Sequence, residues 1–244
     1  MPSRGAESAH EGGRVAFPSA MGVKGERMED LAAYLNPTDA IDSESEPVVR
    51  TAGQLTEGCS TDSEKAVKLF YFVRDSIPYN VYMISMFRED FVASTVLERG
   101  KGYCVQKAVL LAALGRAAGI PTRLAFASIR NHRVPVRFVE KLGTNVFPRH
   151  GYDQFLLDGR WVSAAATFDR VLCERNGLRT VEFDGVNDAM LPPVDAAGNP
   201  YIEYVEKFGH RDDLPLEWIV SEISKVWGKD KHPWLSRDSS PEPV

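Results

Sequence analysis

The chain has 244 residues, of which 43% are hydrophobic, and its formal net charge is −5. This apolar content supports a buried core and excludes a wholly disordered chain. The acidic balance provides no basic field for nucleic acid or for an anionic membrane surface. The charge therefore predicts no nucleic-acid partner. The chain also lacks a run of about 18 apolar residues, so we expect no membrane partner.

The composition divides the chain into one domain and two tails. Residues 1–27 are rich in glycine, serine and charged residues, which predicts a disordered tail, and the polar, proline-containing residues 228–244 predict a flexible one. We expect a single domain over residues 28–227. The first 20 residues do not contain the apolar segment of a signal peptide.

The chain has three cysteines, Cys59, Cys104 and Cys173. Their odd number and wide spacing suit a reducing compartment better than a disulfide framework, so the sequence predicts a cytoplasmic location. No C-x-x-C pair indicates a zinc site, and we expect neither a metal nor a cofactor. The sequence does not indicate an oligomeric state.

Helical patterns fill the first half of the domain. The segment SEPVVRTAGQLTEG (45–58) predicts one helix that ends at Gly58. In TDSEKAVKLFYFVRDSI (61–77), Thr61 followed three residues later by Glu64 is the pattern of a capping box, so a second helix is expected. A third, apolar helix begins at Cys104 and ends near Gly119 and Pro121.

The second half changes to the alternating pattern of strands. Residues 122–129 predict one strand, and residues 150–157 and 160–168 predict two more. The last two are separated by Asp158-Gly159, which favours a type I′ hairpin turn because that turn needs positive φ at both central residues. Helices followed by antiparallel strands indicate an α+β fold.

Cys104 stands at the first turn of its predicted helix, directly after a glycine-rich turn. A lone cysteine is more often a small core residue than a nucleophile. Unpaired N–H groups at a helix start nevertheless favour a thiolate and could hold an oxyanion. Because His150 opens a later strand, the pattern favours a cysteine nucleophile with a histidine base. We therefore expect a pKa for Cys104 below the ~8.5 of a free thiol.

The segments GKGYCVQKAVLLAALGRAAGIPTR (101–124) and HGYDQFLLDGRWVSAAATF (150–168) resemble the core of the transglutaminase-like superfamily, relatives of the papain-like cysteine proteases. The resemblance covers about residues 61–170, and the flanking segments are similar to a prokaryotic subgroup of unassigned substrate. It implies a papain-like α+β core in which N-terminal helices, including the nucleophile helix, pack on an antiparallel sheet. It also implies that Cys104 attacks and that His150 serves as its base.

The sequence departs from this family at one position. An acidic residue usually follows the G-x-W turn and orients the histidine, whereas this chain has Ala165 there. A two-residue turn at Asp158-Gly159 would place Thr167 opposite His150, and Asp169 on a diagonal of the same face at ~7–8 Å. We predict that Asp169 orients His150, with Thr167 as the second candidate. The alternative for Asp169 is a solvated strand end.

Other polar residues give weaker signals. His132 has no obvious partner, which favours a loop over a cleft position. Gln106 lies about 200° around the helix from Cys104 and is expected to be structural. The acidic run over residues 184–199 could suggest Ca²⁺, but it lacks the ligand spacing of an EF-hand and favours a solvated loop.

Together these features predict a cysteine-dependent enzyme. It would attack an amide or ester carbonyl of a peptide or small molecule, form a thioester on Cys104 and transfer the acyl group. Hydrolysis of the same intermediate, as in a peptidase or amidase, is one alternative. A catalytically inactive binding module is another: Ala165 favours it, whereas the presence of both Cys104 and His150 argues against it.

Overall fold

The computed structural model of the chain describes residues 31–228. The tail predicted for residues 1–27 lies outside the described residues, as does all but the first residue of the tail predicted for 228–244. Within the described part of the chain, no helix is both long enough and apolar enough to cross a bilayer.

Four α-helices precede the first strand of an antiparallel sheet, and three more lie between or after its strands in residues 46–227. Between residues 46 and 227 the helices are α1 (Glu46–Thr56), α2 (Asp62–Ser76), α3 (Ala93–Arg99), α4 (Cys104–Ala117), α5 (Val136–Leu142), α6 (Arg170–Arg175) and α7 (Leu216–Trp227). The strands are β1 (Thr122–Asn131), β2 (Val146–Leu157), β3 (Arg160–Ala164) and β4 (Ile202–Arg211). The sheet order is β3-β2-β1-β4, and every neighbouring pair is antiparallel. The α+β, papain-like fold expected from the sequence is confirmed.

Helix α2 begins with the predicted capping box. The Glu64 N–H donates to Thr61 Oγ1 at 3.2 Å, and the Thr61 N–H donates to Glu64 Oε2 at 3.2 Å. These two bonds satisfy N–H groups that a helix start otherwise leaves without acceptors. The buried side chains of α2 recur at helical spacing and point into the core; they are Ala66, Leu69, Phe70, Val73 and Arg74.

The β2–β3 hairpin turns at the predicted dipeptide. Asp158 and Gly159 have φ values of 48° and 76°, the positive values that a type I′ turn requires. Leu157 pairs with Arg160, and the same register continues to the pair Asp153 and Ala164.

The predicted length of the second hairpin strand is wrong, because β3 ends at Ala164 rather than at residue 168. Beyond that point the Ala165 N–H donates to the carbonyl of Ala189, at 2.8 Å. After Ala164 the chain therefore no longer pairs with β2 and is bonded instead to the segment that contains Ala189. As a consequence, the hairpin register does not reach Thr167 and Asp169.

Helix α4 is the centre of the core and packs against the sheet at two glycines. It is buried on nearly every side, which explains its almost unbroken apolar sequence. At Gly115, an added Cβ would lie 2.3 Å from Thr122 Oγ1 and 2.8 Å from Phe155 Cε1. At Gly151 of β2, an added Cβ would lie 3.1 Å from Val105 Cα in the first turn of α4. The lack of a side chain at each of these glycines therefore lets the helix and the sheet approach closely.

Two glycines in helices form a matched test of this packing. Gly53 in α1 has open space where a Cβ would stand, whereas the corresponding space at Gly115 is filled. Gly53→Ala is expected to raise the free energy of unfolding by roughly 0.5–1 kcal/mol through helix propensity. Gly115→Ala gains the same propensity but should lower the free energy of unfolding by about 1–3 kcal/mol through overpacking. Urea denaturation followed by circular dichroism measures both; equal stabilisation by the two changes would contradict this packing.

Candidate active site

The predicted nucleophile and base lie in one cleft. Cys104 is the first residue of α4 and is partly exposed, whereas His150 on β2 is 2% exposed. Both line a cavity of about 210 Å³, together with Thr167. The structure thus brings together three of the residues that the sequence singled out.

A bulge in β2 sets the position of His150. Ala127 of β1 pairs with His150, but Ile129 pairs with Phe147, so β2 carries one extra residue between these pairs. The residue before the histidine, Arg149, has a φ of 57°, which is rare for a residue with a side chain. Bulges next to active sites commonly re-aim a side chain.

Contacts with β4 and α7 surround Arg149. Its guanidinium lies over the rings of Phe208, at 3.7 Å, and Trp218, at 3.9 Å, and it pairs with Glu222 at 3.1 Å. The sequence analysis did not identify this clamp. The sequence does contain a signal for the bulge: Pro148 lies inside the strand pattern, and a proline there indicates an edge strand or a bulge.

Burial governs the titration of both candidate catalytic groups. It raises the pKa of the Cys104 thiol to about 11, although the N–H groups of Gly151, Val105 and Cys104 itself and the charge of Lys107 act in the opposite direction. Burial also lowers the pKa of His150 to about 3. At neutral pH the resting pair is therefore a thiol and a neutral imidazole.

The expectation that the pKa of Cys104 falls below ~8.5 is wrong for this resting state. Donors at the helix start do face the sulfur, as the sequence predicts, but the cost of removing a thiolate from water is larger than their effect. His150 adds no charge that could offset this cost, because it is itself neutral.

Asp169 does not make the predicted contact with His150. It is the N-cap of α6: its Oδ1 accepts from the Leu172 N–H at 2.9 Å, and its Oδ2 accepts from the Tyr79 N–H at 2.9 Å. Burial is the cause of the lowered pKa of His150, and among residues 31–228 no carboxylate raises it. The prediction failed because β3 ends before Asp169 and the chain turns into a helix there.

No acid replaces the missing one at position 165 either. Ala165 is 1% exposed, and Nε2 of His150 is buried without a hydrogen-bond partner in the described part of the chain. Thr167, the second candidate, does line the cleft with His150. The imidazole is thus held by packing, between Tyr152 and Tyr204, whose ring centroids both lie 6.3 Å from its own.

The walls of the cleft are mostly apolar. Aliphatic and aromatic side chains from the loop after α2, from β1, α5 and β2, and from α6 surround the opening; they include Val81, Ile129, Phe138, Phe147, Phe168 and Leu172. The side chains of Asn131, Arg133 and Asn176 add polar groups. Arg133 is paired with Asp195, with 3.3 Å between Nε and Oδ2.

The weaker candidates have structural or surface positions. Gln106 is buried and accepts from the Tyr103 N–H, so its structural role is confirmed. His132 is exposed and its Nε2 lies 3.4 Å from Glu203. In the acidic run, Asp184 and Asp195 accept hydrogen bonds from backbone N–H groups of their own turns. Among the described residues, no group of three or more His, Cys, Asp or Glu side chains could hold a metal ion.

The family described as Transglutaminase-like superfamily matches residues 49–166, just under half of the chain. The resemblance seen in the sequence is therefore confirmed: residues 49–166, which run from within α1 to just beyond β3, are similar to the transglutaminase-like core. At the level of the family, the match supports catalysis by a cysteine. No curated protein matches the sequence.

Three solved structures are similar in outline. A candidate cysteine protease from Cytophaga hutchinsonii has 18% identity and a TM-score of 0.45, over 74% of this chain and 51% of its own. A candidate protease from Parabacteroides distasonis has 17% identity and a TM-score of 0.38, over 57% and 26%. The periplasmic domain of TgpA from Pseudomonas aeruginosa has 17% identity and a TM-score of 0.37, over 55% and 48%. The chain thus spans about half of the first and third proteins and less of the second, and values this low carry no argument about activity.

The neutral resting pair predicts a particular pH dependence of thiol reactivity. Because only the thiolate reacts, the rate at which iodoacetamide alkylates Cys104 should rise about tenfold per pH unit from about pH 7 to about pH 10. The pKa of the Cys104 thiol read from this profile should be unchanged in His150→Ala, because a neutral imidazole exerts no charge on the thiol. Peptide mapping by mass spectrometry measures the rate at Cys104. A plateau near neutral pH that disappears in His150→Ala would instead indicate a preformed thiolate–imidazolium pair.

Proposed function

We propose that the protein is an enzyme that transfers acyl groups through a thioester on Cys104. The observation that carries this proposal is the shared cleft: a thiol at a helix start and a neutral imidazole line the same cavity, and backbone N–H groups there lower the pKa of the thiol against the effect of burial. A cysteine beside a histidine is the arrangement used for nucleophilic attack on carbonyl carbon.

Each group has one step to perform. Cys104 Sγ attacks the carbonyl carbon of an amide or ester, and its proton passes to His150 as the C–S bond forms. His150 returns that proton to the leaving amine or alcohol, which departs as the C–N or C–O bond breaks. An amine or a water molecule then cleaves the thioester, and His150 takes a proton from it in the same way.

The protonation states are consistent with this sequence of steps. The neutral imidazole, favoured by the lowered pKa of His150, is the form that can accept a proton. Charge appears on the sulfur and on the imidazole only together, within the attack, so each stabilises the other in a cleft of low dielectric. General-base catalysis during attack therefore fits the cleft better than a permanent ion pair.

The cleft favours a small apolar acyl group. Its volume, about 210 Å³, is below the ~300–1,000 Å³ of common ligand sites. Apolar walls and few polar groups suit one aliphatic or aromatic side chain of a peptide, or the acyl chain of a small amide or ester. The free cysteines of the described residues are consistent with a reducing, cytoplasmic setting, which remains part of the proposal.

A binding module without catalysis is the second candidate. It is favoured by Ala165 and by the unpartnered Nε2 of His150, because an imidazole without an orienting group is a weaker base. Such a module would retain ligands in the cleft but would form no covalent adduct with them.

The chain incubated with p-nitrophenyl acetate is expected to gain one acetyl group on Cys104, detected by intact mass and peptide mapping. Cys104→Ala should abolish this adduct, and His150→Ala should slow its formation by several orders of magnitude. Cys59→Ala removes another partly exposed thiol and serves as the matched control. An added amine that captures the acetyl group distinguishes transfer from hydrolysis. Turnover that survives in Cys104→Ala, or no adduct in any variant, would contradict the proposal.

A further inference from the structure

Tyr79 lies beside the nucleophile on a segment fixed by hydrogen bonds. The Gly102 N–H donates to the Pro78 carbonyl at 3.2 Å, and the Asn80 N–H donates to the Gly102 carbonyl at 3.0 Å. These bonds form a parallel bridge that sets Tyr79 opposite Gly102, two residues before Cys104. The position of Tyr79 is therefore tied to the start of α4.

Two further contacts fix Tyr79 from another direction. Its N–H donates to Asp169 Oδ2 at 2.9 Å, and its ring packs edge-on against Phe168, with 4.8 Å between centroids. Asp169 also caps α6 through the Leu172 N–H, so one buried carboxylate connects Tyr79 to α6, whose Leu172 lines the same cleft. The residue predicted to orient the histidine thus holds a tyrosine instead.

The hydroxyl of Tyr79 has no hydrogen bond within residues 31–228, and the side chain lines the cleft with Cys104. Burial, together with the charge of a Cys104 thiolate, raises the pKa of Tyr79 well above its usual value. The phenol consequently stays protonated at neutral pH and is available as a hydrogen-bond donor in the cleft that it shares with Cys104.

We propose that the Tyr79 hydroxyl donates a hydrogen bond to the oxyanion that forms when Cys104 attacks an acyl group. This role rests on the proposed function and adds a residue to it. In the attack, the C–S bond forms, the carbonyl π pair moves onto oxygen, and the thiol proton passes to His150. The oxygen then carries a full charge in an apolar cleft, where each preorganised donor has a large effect on the rate. Tyr79 keeps its proton throughout.

Two other buried tyrosines near the cleft are less well placed. Tyr103 has an unpartnered hydroxyl, but its ring packs on Phe91 at 5.8 Å and does not line the cleft. Tyr201 also has an unpartnered hydroxyl and lines the cleft, but the charges that raise its pKa, after burial, are those of Cys173 and Tyr204, and Cys104 is not among them. Of the two tyrosines that line the cleft among the described residues, Tyr79 is the one whose pKa responds to the charge of Cys104 and whose backbone is bonded to the segment just before it.

Comparison of two reactions at the same sulfur tests the role. Acylation of Cys104 by p-nitrophenyl acetate passes through an oxyanion, whereas disulfide formation with methyl methanethiosulfonate has no carbonyl and forms none. Tyr79→Phe keeps the ring and the backbone N–H bonded to Asp169, so it should slow acylation by about 10²-fold and leave disulfide formation unchanged. Tyr71→Phe is the matched control: it removes a hydroxyl that binds Glu182, outside the cleft, and should change neither rate.

The outcomes separate this proposal from the proposed function. If the wild-type chain is not acetylated on Cys104, the proposed function fails and Tyr79 loses its role with it. If the wild type is acetylated but Tyr79→Phe reacts equally fast, only the Tyr79 proposal is overturned. An equal loss in both reactions would also overturn it, because such a loss indicates a general change at the thiol.

A double-mutant cycle tests Asp169 as the positioning residue for Tyr79. Asp169→Asn keeps one acceptor oxygen for two N–H groups, so the Tyr79 segment should lose part of its support. Acylation should slow in this variant but not further when Asp169→Asn is combined with Tyr79→Phe. Asp158→Asn on the exposed hairpin turn is the control and should be silent, because asparagine also tolerates positive φ. Independent, additive effects of Asp169 and Tyr79 would contradict the connection.

Discussion

The site depends on the close approach of the first turn of α4 to β2 at Gly151. A glycine there lets Val105 come so near that an added Cβ would be 3.1 Å from its Cα. This approach places Cys104 at the helix start in the same cleft as His150, the neighbour of Gly151 on β2. It also points the Gly151 N–H at the sulfur, where it favours the thiolate. Backbone packing, rather than a bond between side chains, therefore assembles the candidate nucleophile and base.

The same packing has an electrostatic consequence. Burial in the cleft raises the pKa of Cys104 and lowers that of His150, so both are neutral at rest. The rate at which Cys104 is acylated then depends on hydrogen-bond donors that stabilise the negative charge that develops on the carbonyl oxygen during attack. This gives a physical reason for a protonated phenol at Tyr79, and it explains how such a cleft could operate although Ala165 provides no acid for the histidine.

The parts of the fold that local chemistry determines could be predicted from the sequence. The capping box at Thr61 and the positive-φ turn at Asp158-Gly159 depend on a few neighbouring residues, and both are present. The pairing of Cys104 with His150 in one cleft followed from their places at a helix start and a strand. The family match confirms the resemblance that the same segments carry.

What could not be predicted depends on contacts between distant segments. The strand β3 ends early because the carbonyl of Ala189 accepts a hydrogen bond from the Ala165 N–H, and no local sequence pattern predicts that bond. The role of Asp169 changed for the same reason, and its acceptance of the Tyr79 N–H joins residues far apart in the chain. The pKa of Cys104 was misjudged because the donors at a helix start are visible in a sequence, whereas the depth of a cleft is not.

The rate of Cys104 acylation in Gly151→Ala tests the central claim most directly. The substitution leaves the thiol, the imidazole and Tyr79 chemically intact, but its methyl group must push α4 away from β2. In a variant whose circular dichroism shows a folded chain, acylation by p-nitrophenyl acetate should fall by roughly tenfold, because a misplacement of about 1 Å costs about 10²-fold and the shift that this methyl group needs is a fraction of that. Gly53→Ala, which adds a methyl group in open space, should keep the wild-type rate. A folded Gly151→Ala that reacts as fast as the wild type would contradict the account.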